Sequence, residues 1–251
     1  MNQSPPESLI QSTWTERERR IVWFVVSKAR FTLQIEISPV IASAYILLQN
    51  YFRTNSNQSK YKLLTLVVAS LFSSCKFSDC LRPVDLIYSV ILRICQSIDS
   101  QMVKAYVDEI SHNELFQVTK QEVSLVHNAE FDILDSIEFN VEIELPFKYI
   151  EKWKTFVIPH LPEKLQIVLL QKISIDICYI ICSDSYLDVP PEVTAAVAIF
   201  DIMKNEMPQE PDNYGWINHL MEKYGDDKFN IALNSLSIEK QRTVHRPVLV
   251  R

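Results

Sequence analysis

Apolar positions recur along this chain with a helical period almost from end to end. The segment LVVASLFSSCKFSD, Leu66 to Asp79, is the extreme case. Together with the residues before it, KYKLLTLVVASLFSSCK, it is apolar or small on nearly every side, the mark of a helix buried at the centre of a bundle. It ends on one lysine, Lys76, followed by Phe77 and, two residues later, Asp79. Prolines and capping residues punctuate the rest. Ser38-Pro39 opens VIASAYILLQNYF, and Pro83 opens VDLIYSVILRI. Thr119 with Glu122 makes a capping box ahead of VSLVHNAEFDILDSIEF. Pro146 leads FKYIEKW, Pro162 leads EKLQIVLLQKISIDICYIICSD, and Pro190-Pro191 lead EVTAAVAIFDIMK. Two shorter helices are expected near Tyr214 to Tyr224 and Asp226 to Leu236. The expected class is all-α, with roughly ten helices and a break near Leu145-Pro146. Across that break, TLVVASLFSSCK (Thr65 to Lys76) is echoed by TAAVAIFDIMK (Thr194 to Lys204). Each is a small-residue apolar helix ending on lysine, so each is a candidate central helix of its own unit.

Composition narrows the function classes. The chain of 251 residues is 47% apolar, enough for a large core. It holds only two glycines, Gly215 and Gly225, where average usage is about 7%. Glycine-rich phosphate loops, dinucleotide fingerprints and nucleophile elbows are therefore disfavoured. The formal charge of -6 argues against nucleic acid as the main partner. The longest apolar stretch, around Leu63 to Phe72, is far shorter than the roughly 20 residues of a membrane helix. The first residues lack the basic start and apolar core of a secretory signal, and a reducing, intracellular compartment is expected. The five cysteines (Cys75, Cys80, Cys95, Cys178 and Cys182) include no C-x-x-C and read as buried thiols. The five histidines are scattered, and HNAE at His127 to Glu130 is not a zinc motif. No catalytic residue, cofactor or metal is expected.

An acid stands in the wrong stripe of the helix after Thr119. Val123, Val126, Ile133 and Ile137 form an apolar seam, and the position completing it is Glu130. Asp132, Asp135 and Glu138 lie on other faces, where water can reach them. An ionised carboxylate inside an apolar stripe needs a cation. Lys76 is the candidate. A lysine in a last turn is also favoured by the helix dipole alone, and Glu130 is equally compatible with a helix that curves out to water.

At these residues the chain resembles the cyclins. ISPVIASAYILLQNYF resembles the second helix of a cyclin box, and LLTLVVASLFSSCKFSD its central third helix. HNAEFDILDSIEFNVEIELPFKYIEKW resembles the fifth helix with its glutamate and the proline-led start of a second repeat, whose central helix YLDVPPEVTAAVAIFDIM resembles. The resemblance covers about residues 15 to 240. It implies two consecutive five-helix cyclin-box domains: residues 1–14 a flexible N-terminus, 15–145 and 146–238 the two boxes, and 239–251 a basic tail with Lys240, Arg242, Arg246 and Arg251. It implies a regulatory subunit, not an enzyme, that binds and activates a cyclin-dependent protein kinase in control of the cell cycle or of transcription. The proline-led LPFKYIEKW leans toward the transcription-associated branch. Lys76, Phe77, Glu130, Leu134 and Phe139 map to the kinase-binding surface.

Some residues depart from the family. Ser78-Asp79 replaces an acid pair, and RRIVWFV stands where some cyclins carry a substrate-docking patch. Two rival readings remain at this stage. One is a cyclin-box scaffold without kinase activation. The other is a transcription factor B-like adaptor, which the missing zinc ribbon and the acidic charge disfavour.

Overall fold

The computed structural model describes residues 12–97, 118–157, 162–206 and 215–244. The described residues form ten α-helices, a few short helical turns and one pair of two-residue strands. The chain divides into two compact units, Met1–Ile143 and Glu144–Arg251.

The first unit holds α1 (Glu16–Leu33), α2 (Ala42–Thr54), α3 (Leu63–Phe77), α4 (Val84–Ser97) and α5 (Lys120–Asp135). α3 stands at its centre and packs against α2, α4 and α5. Twelve of its fifteen residues are buried, so the all-round apolar pattern has a plain cause. Small residues at Ala69, Ser70, Ser73 and Ser74, nearly or wholly out of water, let the neighbouring helices come close. The buried hydroxyls of Ser70 and Ser73 bond back to the carbonyls of Val67 and Ala69. α5 begins with the expected capping box: the Glu122 amide donates to Thr119 Oγ1 at 3.2 Å, and the Thr119 amide to the Glu122 carboxylate at 2.7 Å. Thr15 and Glu18 make a second capping box at the start of α1.

The expected flexible N-terminus, residues 1–14, reaches too far along the chain. Residues 1–11 lie outside the described residues, but Ser12–Thr13 (β1) pair antiparallel with Gln58–Ser59 (β2). Trp14 is buried, stacked on Phe52 with ring centroids 4.7 Å apart and tilted against Tyr45. Burying an indole outweighs the entropy of ordering two or three residues.

The second unit opens with a 3-10 turn, Pro146–Tyr149, followed by α6 (Ile150–Val157), α7 (Glu163–Ile181), α8 (Pro191–Glu206), α9 (Gly215–Tyr224) and α10 (Asp226–Val244). α8, the echo of α3, is likewise central, packed on α6, α7, α9 and α10. A basic tail from residue 239 was expected, yet α10 continues to Val244. Its buried positions Phe229, Ala232 and Leu236 are followed on the same stripe by Lys240. The Lys240 ammonium bonds Asp176 of α7 at 2.7 Å and Asp201 of α8 at 2.6 Å. Those two carboxylates hold the last turns of α10 against the unit. Residues 245–251 lie outside the described residues.

Candidate functional site

α3 ends in a way that fixes where Lys76 points. The Asp79 amide donates to the Lys76 carbonyl at 3.4 Å, and the Cys80 amide to the Cys75 carbonyl at 3.0 Å. Asp79 sits in the left-handed region at φ 51°. This is a Schellman ending, with an aspartate in the position glycine usually takes. It turns the chain away one residue after Phe77 and leaves Lys76 on the last turn, pointing along the bundle's rim.

The Lys76 ammonium lies 2.8 Å from Glu130 Oε1. Ser73 Oγ, one turn earlier on α3, lies 3.2 Å from the same oxygen and shares its one proton between it and the Ala69 carbonyl at 3.0 Å. His127 Nδ1 is 3.5 Å from Oε2. Glu130 is thus buried in its seam beside Val126, Ala129 and Ile133, and it is partnered, as the cost of burying a carboxylate requires. Lys76 is not buried with it: its side chain is 40% exposed, against 9% for Glu130. Phe72 completes the group. Its ring lies 4.3 Å under the Lys76 ammonium and meets the His127 ring edge-on at 5.6 Å. A cation over an aromatic face adds about 0.5–1 kcal/mol at a half-exposed site.

A second cluster belongs to the end of α5. The Glu138 amide donates to the Asp135 carbonyl and the Phe139 amide to the Leu134 carbonyl, both at 2.9 Å, with Glu138 at φ 52°. This is the same helix ending as that of α3, and it joins the backbones of Leu134 and Phe139 directly. Phe139 remains half-exposed, and its ring meets that of Phe131, itself 60% exposed, at 5.5 Å. Phe77 is half-buried beside Lys76.

Of the five residues read from sequence, the structure joins Lys76 to Glu130 and Leu134 to Phe139. Phe72, Ser73, His127 and Phe131 were missed. Phe131 carried a signal: it is a large apolar residue next to Glu130 and off the seam. Asp132, on a face that water still reaches, also accepts bonds at 2.8 Å from both Tyr61 and Lys60. Burial, then the neighbouring Asp132 carboxylate, pushes the Tyr61 hydroxyl up to about 12. Among the described residues no group of three or more His, Cys, Asp or Glu is placed to hold a metal ion, and no helix is long and apolar enough to cross a membrane.

No protein-family model matches the chain, and no curated protein matches it. Among solved structures it is similar to a chain of the CAK complex of Chaetomium thermophilum, solved bound to ATP-gamma-S, with TM-score 0.55 and 16% identity over 91% of this chain. This chain spans 66% of the length of that one. A viral cyclin from herpesvirus saimiri gives TM-score 0.37 and 12% identity, over 86% of this chain and 97% of that one. At such identities the likeness is one of fold alone, and the all-α class is the one that the sequence led us to expect.

Proposed function

We propose that this chain acts as a cyclin: a subunit without chemistry of its own that binds a cyclin-dependent protein kinase and favours its active state. The observation that carries the reading is the Lys76–Glu130 pair. An ion pair anchored in the core on its acidic side and open to water on its basic side is a pre-set contact for a partner. The exposed Phe131–Phe139 pair on the same helix end supplies apolar area beside it. The CAK neighbour was solved with an ATP analogue, which agrees with a partner that handles nucleotide.

The mechanism is an equilibrium shift. A kinase positions ATP only when its strand lysine pairs with the αC glutamate. A rigid surface that fits the αC-in arrangement alone draws the population toward it. The helix endings of α3 and α5, each pinned by paired backbone bonds, supply that rigidity. Ser78, where the family carries an acid, favours a second reading, a scaffold that holds proteins on this face without activating a kinase.

Binding and activity assays separate the two. The purified chain and its Lys76→Ala variant are titrated against a panel of cyclin-dependent kinases, and kinase activity is read in the same tubes. Tight binding to one kinase, with activation weakened in the variant, supports the cyclin reading. A folded, helical chain that binds no member of the panel overturns it. Binding without activation leaves the scaffold.

A further inference from the structure

Two of the five cysteines occupy paired positions in the ending of α3. Cys75 is the residue whose carbonyl receives the Cys80 amide at 3.0 Å. In this helix ending the two residues so joined also bring their side chains together. A disulfide needs Cα atoms roughly 4.4–6.8 Å apart, and a backbone bond between two residues is the kind of contact that favours such an approach. The segment after Cys80 is also held. Arg82 donates to the Leu33 carbonyl at 2.7 Å and the Gln34 carbonyl at 3.1 Å, both at the end of α1, and to the Cys80 carbonyl at 3.3 Å. The loop therefore cannot swing its thiol away without breaking the clamp.

We propose that Cys75 and Cys80 form a redox pair that closes into a disulfide around Lys76 and Phe77 and is reopened by thiols. Their exposures set the order of events. Cys80 is half-buried and reachable, whereas Cys75 is fully buried. Burial, and then the adjacent Cys80, pushes the Cys75 thiol up to about 12, so it does not react first. With oxidised glutathione as the oxidant, the Cys80 thiolate attacks one sulfur and releases one glutathione thiolate. Cys75 then loses its proton to water and attacks Cys80 Sγ, expelling the second glutathione thiolate. Both released thiolates take up protons. Two protein thiols and one oxidised glutathione become one protein disulfide and two reduced glutathiones. The proximity of the thiols offsets the small thiolate fraction at Cys75. Disulfides of this transient kind are the ones found in reducing compartments. This site stands whether or not the partner is a kinase.

The test uses the full chain, folded, in a series of glutathione buffers from reduced to oxidised. Samples are quenched with acid and an alkylating agent and mapped by mass spectrometry after cleavage at Lys76. The expected result is a Cys75–Cys80 cross-link, two hydrogens lighter, that rises along the series and vanishes with dithiothreitol. Cys75→Ser should leave Cys80 carrying glutathione, and Cys80→Ser should leave Cys75 a free thiol. The proposal is overturned if the unsubstituted chain accumulates glutathione on Cys80 with Cys75 free. It is equally overturned if both stay free in the most oxidised buffer, or if the link forms only after the helical circular dichroism is lost.

Discussion

The Lys76 ammonium and the Glu130 carboxylate meet at 2.8 Å, yet the lysine side chain is 40% exposed and the glutamate 9%. That asymmetry makes the two halves of the pair unequal under substitution. Lys76→Ala leaves a buried carboxylate with Ser73 and His127 alone, an expected loss of about 1–3 kcal/mol of stability. Glu130→Gln keeps the shape and the Ser73 bond and frees a lysine that water can solvate, an expected loss of about 0–1 kcal/mol. Urea denaturation of the two variants checks the order. Equal losses would mean that the carboxylate is less buried than this geometry shows.

Phe131 and Phe139 touch each other while remaining 60% and 50% exposed. Little folding energy rests on Phe131, so Phe131→Ala should change stability by about 0.5 kcal/mol or less. If the pair is the apolar centre of the partner surface, the same change should weaken partner binding tenfold or more, about 1.4 kcal/mol. Titration calorimetry with the partner kinase reads the affinity, and denaturation of the free chain reads the stability. Unchanged affinity would move the surface away from the end of α5.

Asp176 shares its lysine with Asp201, and one ammonium cannot neutralise two carboxylates. Burial raises the Asp176 carboxyl to about 6, with the Lys240 bond opposing. A folded value above the unfolded one means that the folded state holds the extra proton between about pH 4 and 6. This group therefore destabilises the fold as pH rises through that range. Asp176→Asn, which resembles the protonated form, should remove that part of the pH dependence. Thermal melts of the variant and the parent should converge near pH 4 and separate toward pH 7, with the variant the more stable. Parallel curves would contradict the shift.

Glu192, in the first turn of α8, shows the reverse balance. Burial alone would raise its carboxyl, but bonds from Lys152, Tyr224 and Lys223 outweigh it and hold the group at about 2. The stability it contributes is present above the unfolded value near 4.5 and is lost as pH falls toward 2. Glu192→Gln should therefore cost stability at pH 7 and flatten the acid limb of the melting curve below about pH 5. Its hydrogen bonds tie α6, α8 and α9 together, so exchange-protected amides in α9 should open first in the variant.

Much of this could be read along the chain. The all-round apolar run of α3, the prolines that open α4, α7 and α8, and the Thr119–Glu122 box are local signals, and the helices form where these signals stand. Glu130 was legible for a different reason. A charge inside an apolar stripe breaks a local rule, and the break demands a partner elsewhere. Lys240 breaks the same rule on α10, but beside other basic residues it looked like the start of a solvated tail. Its two carboxylates come from helices 39 and 64 residues away in sequence, and spacing carries no trace of them. Trp14 is similar, because nothing local says that an indole will find Phe52.

Helix ends divided in the same way. Sequence marks where helices start, because caps and prolines act on neighbouring backbone groups. The endings of α3 and α5 use Asp79 and Glu138 at positive φ, where glycine would have announced the turn. What the sequence by itself determined was thus the helices, their faces and the charges that needed partners. Which partner each charge found and how deep it lies were decided by tertiary packing, because those depend on segments that only the folded core brings within a few ångströms.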